Sequence, residues 1–310
     1  MERLPPYDLV DLRLLVALAE HRHFARAADS CGLSQPALSA RIRRLETALA
    51  VPLIYRGKRF EGFTPDGDRA LVWARRILSD CSGLVEDVRS AEGRPHGLLR
   101  LGVVPSATPY AGKLCGAVAA RFPGVQTQIL SLSSKAIGTA LDEFELDAGI
   151  TYGAGPASEG PDLAGNGHWQ PLLEETYCLV ARPDLTIPGN GAISWADAAK
   201  LPMCLLTPDM QNRRIIDEAF RDAGALPDIR LESNSFNAIL AMVRAYPFAT
   251  ILPRLQVEAG LTGGLKVRDM GEQVTTRPIG LWIPKRVPER RVTGALLEVL
   301  SSLGTGDPLG

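Results

Sequence analysis

Two short helical patterns joined at a glycine limit the folds open to the N-terminal part of this chain. The first, FARAADS at residues 24–30, is rich in alanine, which lets a second helix pack closely against it. Gly32 supplies a turn, and Ser34 is predicted to cap a helix with Pro36 in its first turn, where a missing N–H costs little. Four apolar residues then recur on one face of this helix: Leu38, Ile42, Leu45 and Leu49. The pattern predicts a helix-turn-helix packed on an earlier helix that ends near Arg22.

The opposite face of the second helix combines small side chains with guanidinium groups, at Pro36, Ser39, Ala40, Arg43 and Arg44. Arginine contacts phosphates and guanine edges, and Gln35 at the helix start can reach an adenine. Residues 41–59 hold six basic side chains and one acidic one, although the whole chain has a net charge of -1. Such a basic cluster indicates a DNA-binding module. The alternative is an ordinary solvated helix face.

The segment IYRGKRFEGFTPDG at 54–67 alternates apolar and polar residues around two glycines. It predicts a small two-stranded wing. Lys58 and Arg59 would lie at the tip of this wing, where they can contact the DNA backbone or the minor groove.

A long helix is predicted from Thr64 to about Glu92, with threonine as the N-cap and proline at the first helical position. Its apolar residues follow one another at alternating intervals of three and four: Leu71, Ala74, Leu78, Cys81, Val85 and Val88. Such a seam favours pairing with a second helix, and we expect dimerisation through Leu71, Leu78 and Val85. Docking of this stripe on the chain's own domain is the alternative.

From about residue 98 onward, strand patterns alternate with helix patterns, which predicts an α/β architecture with parallel sheets in two lobes. Ligands of open α/β sheets bind beyond the carboxyl ends of the strands. Hydroxyl side chains follow three of the predicted strands: Ser106 and Thr108 follow the first, Ser133 and Ser134 the second, and Thr207 a strand of the second lobe. Hydroxyls and helix N-termini suit a small anion or carboxylate. Each residue taken alone could equally be a helix cap.

Other classes of function have little support. The common nucleophile, phosphate-loop, zinc-protease and dinucleotide motifs are absent, so we predict no catalytic residues, no cofactor and no enzyme. The five cysteines are widely spaced and the histidines form no ligand cluster, so neither disulfides nor a metal site are expected. No stretch is apolar over the roughly 20 residues that a membrane span requires, and no secretory signal is evident, which predicts a cytoplasmic location.

The order of these parts, together with LSQPALSARIRRLE, PLIYR and FTPDG, resembles the LysR-type transcriptional regulators. The resemblance covers essentially the whole chain and is most specific over residues 9–67. It implies a winged helix-turn-helix, a linker-helix homodimer assembled as a homotetramer, and a C-terminal effector domain built like periplasmic solute-binding proteins. Double-stranded DNA and a small-molecule effector are the implied partners, and RNA polymerase is a further candidate.

The resemblance also assigns roles to individual residues. The DNA-binding candidates are Ser34, Gln35, Pro36, Ser39, Arg43 and Arg59, and the effector-binding candidates are Ser106, Ser134 and Thr207. Ala40 and Arg41 stand where family members often have Arg-Gln, which redistributes phosphate contacts. The stretch AYPFATILP at 245–253 replaces a glycine-rich segment of many members, so the local backbone there is expected to differ.

The resulting division is a DNA-binding domain at 1–67, a linker and dimerisation helix at 68–94, and an effector domain at 95–310. Within the last, lobe 1 is expected at about 98–171 and 275–304, and lobe 2 at about 172–274. The predicted function is sequence-specific transcriptional regulation controlled by an effector bound between the lobes. One rival is a cytoplasmic solute-binding or enzymatic α/β protein with an incidental basic helix. Another is a regulator that senses thiol oxidation through Cys178 or Cys204, although their spacing does not resemble that of peroxide-sensing members.

Overall fold

A computed structural model describes residues 6–55, 57, 59–89, 94–153, 167–271 and 278–303. The chain divides into two compact units. One comprises residues 1–92 with 142–145, and the other comprises residues 93–141 with 146–310. No helix among the described residues is both long enough and apolar enough to cross a membrane.

The N-terminal unit contains four helices: α1 (Leu9–His21), α2 (Phe24–Ser30), α3 (Gln35–Leu49) and α4 (Pro65–Arg89). Ser34 is the N-cap of α3, and its hydroxyl accepts a hydrogen bond from the Ala37 N–H at 3.4 Å. The predicted apolar face of α3 is buried at Leu38, Ile42 and Leu45 and packs on α1 and α2, whereas Leu49 at the helix end is exposed. The helix-turn-helix is therefore confirmed, with its core in the predicted stripe.

The wing is smaller than its alternating pattern predicts. Among the described residues of this segment, which leave out 56 and 58, one antiparallel bridge pairs Ile54 with Phe63 in place of the two predicted strands. The Tyr55 N–H donates to Gly62 O at 3.1 Å, and the Thr64 N–H donates to Leu53 O at 2.9 Å. Aromatic packing also stabilises the segment, because the rings of Phe60 and Phe63 make an edge-to-face contact with their centroids 5.2 Å apart. The predicted tip residue Lys58 lies outside the described residues.

Gly67, in the first turn of α4, lies against the backbone of the wing, so that a β-carbon there would overlap with the carbonyl oxygen of Leu53. We expect Gly67→Ala to destabilise the N-terminal unit by about 1–3 kcal/mol, because backbone rather than a flexible side chain must move. Gly83 lies in the same helix with no atom within 4 Å of its β position. Gly83→Ala, the matched control, should stabilise the helix by about 0.5–1 kcal/mol. Amide hydrogen exchange over α1 to α4 measures both changes, and equal effects would contradict the prediction.

Helix α4 begins as predicted, with the Thr64 hydroxyl accepting from the Gly67 N–H at 3.0 Å. The apolar residues of the predicted dimer seam, however, are buried in the first half of α4 and exposed towards its end. Leu71 and Ala74 are 7% and 0% exposed and pack in the core formed with α1, so both contact the chain's own unit, and the assignment of Leu71 to dimerisation stays a prediction. Their intramolecular partner is helix α1, which sequence spacing alone does not reveal. Leu78 is partly buried at the edge of this core, whereas Val85 and Val88 are exposed.

Lobe 1 of the C-terminal unit is a five-stranded sheet of order β2-β1-β3-β10-β4. Its strands are β1 (Gly97–Val103), β2 (Val125–Ser131), β3 (Ala148–Tyr152), β4 (Gly167–Glu174) and β10 (Pro278–Pro284). Its helices are α5 (Thr108–Arg121), α6 (Ser134–Asp142) and α11 (Arg291–Leu303), and a short 3-10 helix, Pro105–Ala107, precedes α5. The predicted return of the chain to this lobe, and the final helix on it, are both confirmed. The sheet is mixed rather than parallel, because β10 is antiparallel to both neighbours.

Lobe 2 has a second sheet of order β7-β6-β8-β5-β9. Its strands are β5 (Tyr177–Ala181), β6 (Pro202–Leu206), β7 (Asp228–Ser233), β8 (Ala249–Pro253) and β9 (Lys266–Asp269). Its helices are α7 (Trp195–Ala198), α8 (Gln211–Asp222), α9 (Phe236–Ala245) and α10 (Arg254–Glu258). The sequence pattern merges the end of β4 with β5 into one strand, so the crossing between lobes lies at 175–176 rather than near 172.

Candidate functional site

The exposed face of α3 carries four of the residues predicted to bind DNA. Gln35, Pro36 and Arg43 are exposed and Ser39 is half-buried. Ser34 caps the helix and leaves the first-turn N–H groups directed outward beside Gln35. Gln35, Ser39 and Arg43 line one side of a groove of about 340 Å³ whose other side is formed by Ile54, Tyr55 and Gly57 of the wing. The recognition helix and the wing therefore border a common surface.

Two of the three clustered arginines have an internal role. Arg41 Nη1 lies 3.1 Å from Asp8 Oδ1 and 2.9 Å from Asp11 Oδ1, and Arg44 Nη2 pairs with the same two carboxylates. Asp8 and Asp11 also form the capping box of α1, so the ion pairs join the start of α1 to α3. Burial alone would raise the pKa of Asp8, but hydrogen bonds from the Asp11 N–H and the two guanidinium groups lower it overall. These arginines therefore stabilise the helix packing.

Arg43 differs from its two neighbours because it makes no ion pair with any described residue, and it projects from the exposed face of α3. Arg59 is likewise exposed near the wing. Glu46 fixes the start of the wing, since its Oε1 accepts from the Leu53 N–H at 2.8 Å and the Ile54 N–H at 3.4 Å. The helical projection places Arg44 on the outer face of α3. In the structure its guanidinium group forms ion pairs with Asp8 and Asp11.

The C-terminal unit contains a buried hydrogen-bond network where its two lobes join. Glu175 lies in the segment that crosses between the lobes, and its Oε2 accepts from Tyr152 Oη at 2.9 Å and from Tyr177 Oη. Asn212 Nδ2 donates to the same oxygen at 3.2 Å and to Tyr177 Oη at 3.3 Å. Ser106 Oγ lies 3.0 Å from Tyr152 Oη, and either hydroxyl can be the donor. Lobe 1 contributes the side chains at 106 and 152, and lobe 2 contributes those at 177 and 212.

Burial dominates the ionisation of this network. It raises the pKa of Glu175 above its ordinary value, and hydrogen bonds from Tyr177, Ser106, Tyr152 and Asn212 offset part of the rise. Burial, together with the neighbouring Glu175 charge, raises the pKa of both Tyr152 and Tyr177 well above the usual value for a phenol. The two phenols therefore remain protonated and act as donors to the carboxylate.

Several buried polar atoms near the starts of α6 and α8 have no hydrogen-bond partner among the described residues. They are Ser134 Oγ, Thr207 Oγ1, Gln211 Oε1, Gln211 Nε2 and Asn212 Oδ1. Buried side-chain polar atoms are hydrogen-bonded in the large majority of cases, and leaving one unsatisfied costs about 1–3 kcal/mol. Their concentration at the starts of α6 and α8 indicates a place where a polar ligand completes the bonding.

None of the three hydroxyls predicted to bind an effector acts as a helix cap. At the start of α6 the capping hydroxyl belongs to Ser133, which accepts from the Ala136 N–H at 3.3 Å. Met210 occupies the N-cap position of α8 and makes no side-chain capping bond, so Thr207 is not used there. Ser106 bonds to Tyr152 instead. The alternative of an ordinary helix cap therefore holds for Ser133 and does not hold for Ser106, Ser134 or Thr207.

A groove of about 530 Å³ opens between the lobes close to the network. Lobe 1 lines it with Pro105, Thr108 and Ser131, and lobe 2 with residues 234–237 and Gln256. Gln256 Nε2 donates to Pro105 O at 2.9 Å and to Ser106 O at 3.1 Å, which joins α10 of lobe 2 to the 3-10 turn of lobe 1. The groove is thus bounded by a polar connection between lobes.

Sequence reasoning missed most of the network. Glu175 and Tyr177 lay in a segment interpreted as one continuous strand, and Gln211 and Asn212 were interpreted as helix only. The sequence signal that could have indicated the network is the close spacing of an acidic residue, Glu175, and a tyrosine, Tyr177, where the chain crosses between the lobes. Among the described residues, no group of three His, Cys, Asp or Glu side chains could hold a metal ion. The unusual Tyr246-Pro247-Phe248 stretch forms a bend after α9, in which Tyr246 and Pro247 are exposed, Phe248 is half-buried, and the two aromatic rings lie 6.0 Å apart.

A helix-turn-helix with an exposed arginine face, joined in one chain to a two-lobed α/β unit with unpartnered buried polar atoms, is the architecture of a DNA-binding transcriptional regulator with an effector domain. Residues 9–68 match the bacterial regulatory helix-turn-helix protein, lysR family, and residues 92–304 match the LysR substrate binding domain. The chain belongs to the LysR family of transcriptional regulators, whose members are not enzymes.

A curated relative agrees with this assignment, and two solved structures share the fold. The DNA-binding transcriptional dual regulator OxyR of Escherichia coli K12 is 31% identical over 254 residues, which cover 81% of this chain and 80% of that protein. A full-length OxyR variant from Pseudomonas aeruginosa has the same fold, with a TM-score of 0.71, 23% identity and coverage of 97% and 95%. CbnR in complex with its target DNA superposes with a TM-score of 0.69 at 19% identity, covering 96% of this chain and 100% of that one.

Proposed function

We propose that this regulator reads a pseudo-palindromic operator with Gln35, Pro36, Ser39 and Arg43 of α3, with Arg59 in the wing contacting the DNA backbone. Ser34 supports these contacts by capping the helix. The single observation that carries the proposal is that Arg43 makes no ion pair with described residues, while Arg41 and Arg44 are neutralised by Asp8 and Asp11. A guanidinium on an exposed helix face, beside a glutamine at the helix start, is suited to base edges and phosphates.

The protein would act in the cytoplasm as a homodimer, and as a homotetramer formed from two such dimers. Exposed apolar residues on the second half of α4, Leu84, Val85 and Val88, support helix pairing there. Leu78, half-buried beside the core, would mark the start of that contact. We place the limits of the linker helix after residue 67 and at residue 94. RNA polymerase would be a further partner at the promoter.

The effector would be a small anion or carboxylate bound between the lobes by Ser106, Ser134 and Thr207. The unpartnered hydroxyls of Ser134 and Thr207 support this assignment, because a carboxylate would accept hydrogen bonds from both. Ligand binding would shift the balance between two lobe arrangements and hence the arrangement of the DNA-binding units in the tetramer.

Binding to DNA upstream of the protein's own gene tests the function as a whole. Fluorescence anisotropy, scanned over salt and compared with random DNA, should show selective binding with a steep salt dependence. If upstream DNA is not distinguished from random DNA, selection from genomic fragments should recover an operator. Failure of both would contradict sequence-specific regulation.

Thiol oxidation is a second candidate signal, since several relatives are described as hydrogen peroxide-inducible genes activators. Burial raises the pKa of Cys178 and of Cys204 to about 11, so little reactive thiolate exists near pH 7. We therefore expect hydrogen peroxide to leave operator binding unchanged in the wild type. Cys178→Ser and Cys204→Ser should likewise leave the DNA response intact. A peroxide response that either substitution removes would reverse this assignment.

A further inference from the structure

We propose that the effector carries a hydrogen-bond donor beside its carboxylate, as hydroxy- and amino-carboxylates do, and that the amides of Gln211 and Asn212 recognise this donor. The inference rests on the proposed effector site and names the chemical class that this site takes. Two amide side chains open helix α8 next to each other and are only 5% and 4% exposed. Three of their four polar atoms have no partner among the described residues.

The orientation of the Asn212 amide is fixed by its surroundings. Its Nδ2 donates to Glu175 Oε2 and to Tyr177 Oη. A half-turn of the amide would place Oδ1 against the carboxylate oxygen, and two acceptors would then face each other. The free atom is therefore the carbonyl oxygen Oδ1. It accepts hydrogen bonds only, so a carboxylate or an inorganic anion cannot satisfy it, whereas a ligand O–H or N–H can.

Gln211 adds both a donor and an acceptor at the start of α8, because neither Nε2 nor Oε1 has a described partner. The neighbouring cation does not supply a second anion site. Arg213 directs Nη1 to Leu206 O and Glu232 Oε1, both at 2.6 Å, and Nε to Asp217 Oδ1 at 2.8 Å. The start of α8 therefore presents neutral amides rather than a free positive charge, and it suits a hydroxyl or amino group better than a second carboxylate.

The start of α6 offers hydrogen-bond donors and therefore suits a ligand group that accepts hydrogen bonds. The free hydroxyl of Ser134 can donate to a carboxylate oxygen, and the first N–H groups of the nine-residue helix α6 lie beside it. Thr207, which also has a free hydroxyl, precedes α8 by one turn of chain. A ligand with an acceptor at one end and a donor at the other would satisfy both groups of atoms.

The same amide offers a route from ligand to lobe arrangement. Asn212 binds Glu175 through Nδ2 and would bind the ligand through Oδ1. Glu175 lies in the segment that crosses between lobes and also accepts from Tyr152 of lobe 1. A donor at Oδ1 therefore acts on the side chains that join the two lobes, which a group bound only at Ser134 would not.

Melting of the full-length protein with matched pairs of probe compounds tests the proposed class. The pairs are lactate with propanoate, alanine with propanoate, malate with succinate, and mandelate with phenylacetate, and inorganic phosphate is included alone. At least one compound with a donor should bind at least tenfold more tightly than its counterpart without one. In Gln211→Met this preference should fall to less than threefold. Binding of counterparts as tight as that of the donor compounds, or binding of phosphate alone, would overturn the inference.

A second measurement decides the question without any ligand. Gln211→Met removes two unpartnered polar atoms at nearly constant volume, so it should raise the melting temperature of the ligand-free protein by about 2 °C or more. Gln256→Met is the matched control, since the amide nitrogen of this equally buried glutamine donates to Pro105 O and Ser106 O. It should lower the melting temperature. A decrease of similar size in both variants would show that Gln211 is already bonded and would overturn the inference.

The inference and the proposed effector site fail in different ways. If donor and donor-free carboxylates bind equally and Ser134→Trp abolishes both, the effector site stands and the assigned class is wrong. If compounds bind but Ser134→Trp leaves their affinity unchanged, the site itself is wrong. If no compound of the panel raises the melting temperature, the assigned class is wrong, while a response to a cell extract that depends on Ser134 would still support the site.

Discussion

Arg43→Ala should weaken operator binding more than any other single substitution on the surface of α3. A well-placed arginine contact with a base contributes about 1–3 kcal/mol, and a dimer uses two copies, so the expected loss is about 2–6 kcal/mol, or at least about 30-fold in Kd. The measurement is anisotropy titration of operator and random DNA at several salt concentrations. Loss of discrimination between the two DNAs would identify a base contact. A uniform loss with a salt slope reduced by about two per dimer would identify phosphate contacts.

Arg69→Ala is the matched control for this experiment. Arg69 is also exposed and in the same unit, but it lies in the first turns of α4 and pairs with Asp66 three residues earlier. Its replacement should change operator affinity less than twofold. Equal losses for both variants would mean that the unit binds DNA through its overall charge, and that α3 is a solvated face.

Ser134→Trp should abolish the effector response while leaving operator affinity within about twofold of wild type. Ser134 is 3% exposed with an unpartnered hydroxyl, so an indole there fills the space in which we place the carboxylate. Until the effector is identified, a deproteinised extract of the producing cells serves as its source, and the readout is the change in operator binding on addition of extract.

Thr139→Trp provides the control on the same helix. Thr139 is exposed on α6, so the same bulky side chain extends into solvent there and the effector response should persist. Circular dichroism of both variants checks that each keeps the wild-type helix content. Loss of operator binding together with the response in Ser134→Trp would contradict the assignment of this residue to the effector site.

Much of the fold follows from short-range patterns. Helices α2 and α3, the threonine cap of α4 and most strand-helix alternations depend on spacings of two to four residues, which the sequence displays directly. The pattern alone does not decide the outcome where a residue or segment has two possible partners. Leu71 belongs to a seam that could join another chain or its own unit, and contact with α1 places it in the core. The merged strand around Glu175 arose because β4 and β5 are separated by only two residues.

The candidate sites divide in the same way. The outward face of α3, the hydroxyls after the strands and the absence of catalytic motifs were evident from residue types and their order. The sequence by itself therefore determined the family, the two-part organisation and the surface that we propose to meet DNA. Only the tertiary structure decided which arginine is available, because Asp8 and Asp11, which pair with Arg41 and Arg44, are 30 to 36 residues away along the chain. It also placed Glu175, Tyr152 and Asn212 in one network across the two lobes, since their contacts depend on packing rather than on local periodicity.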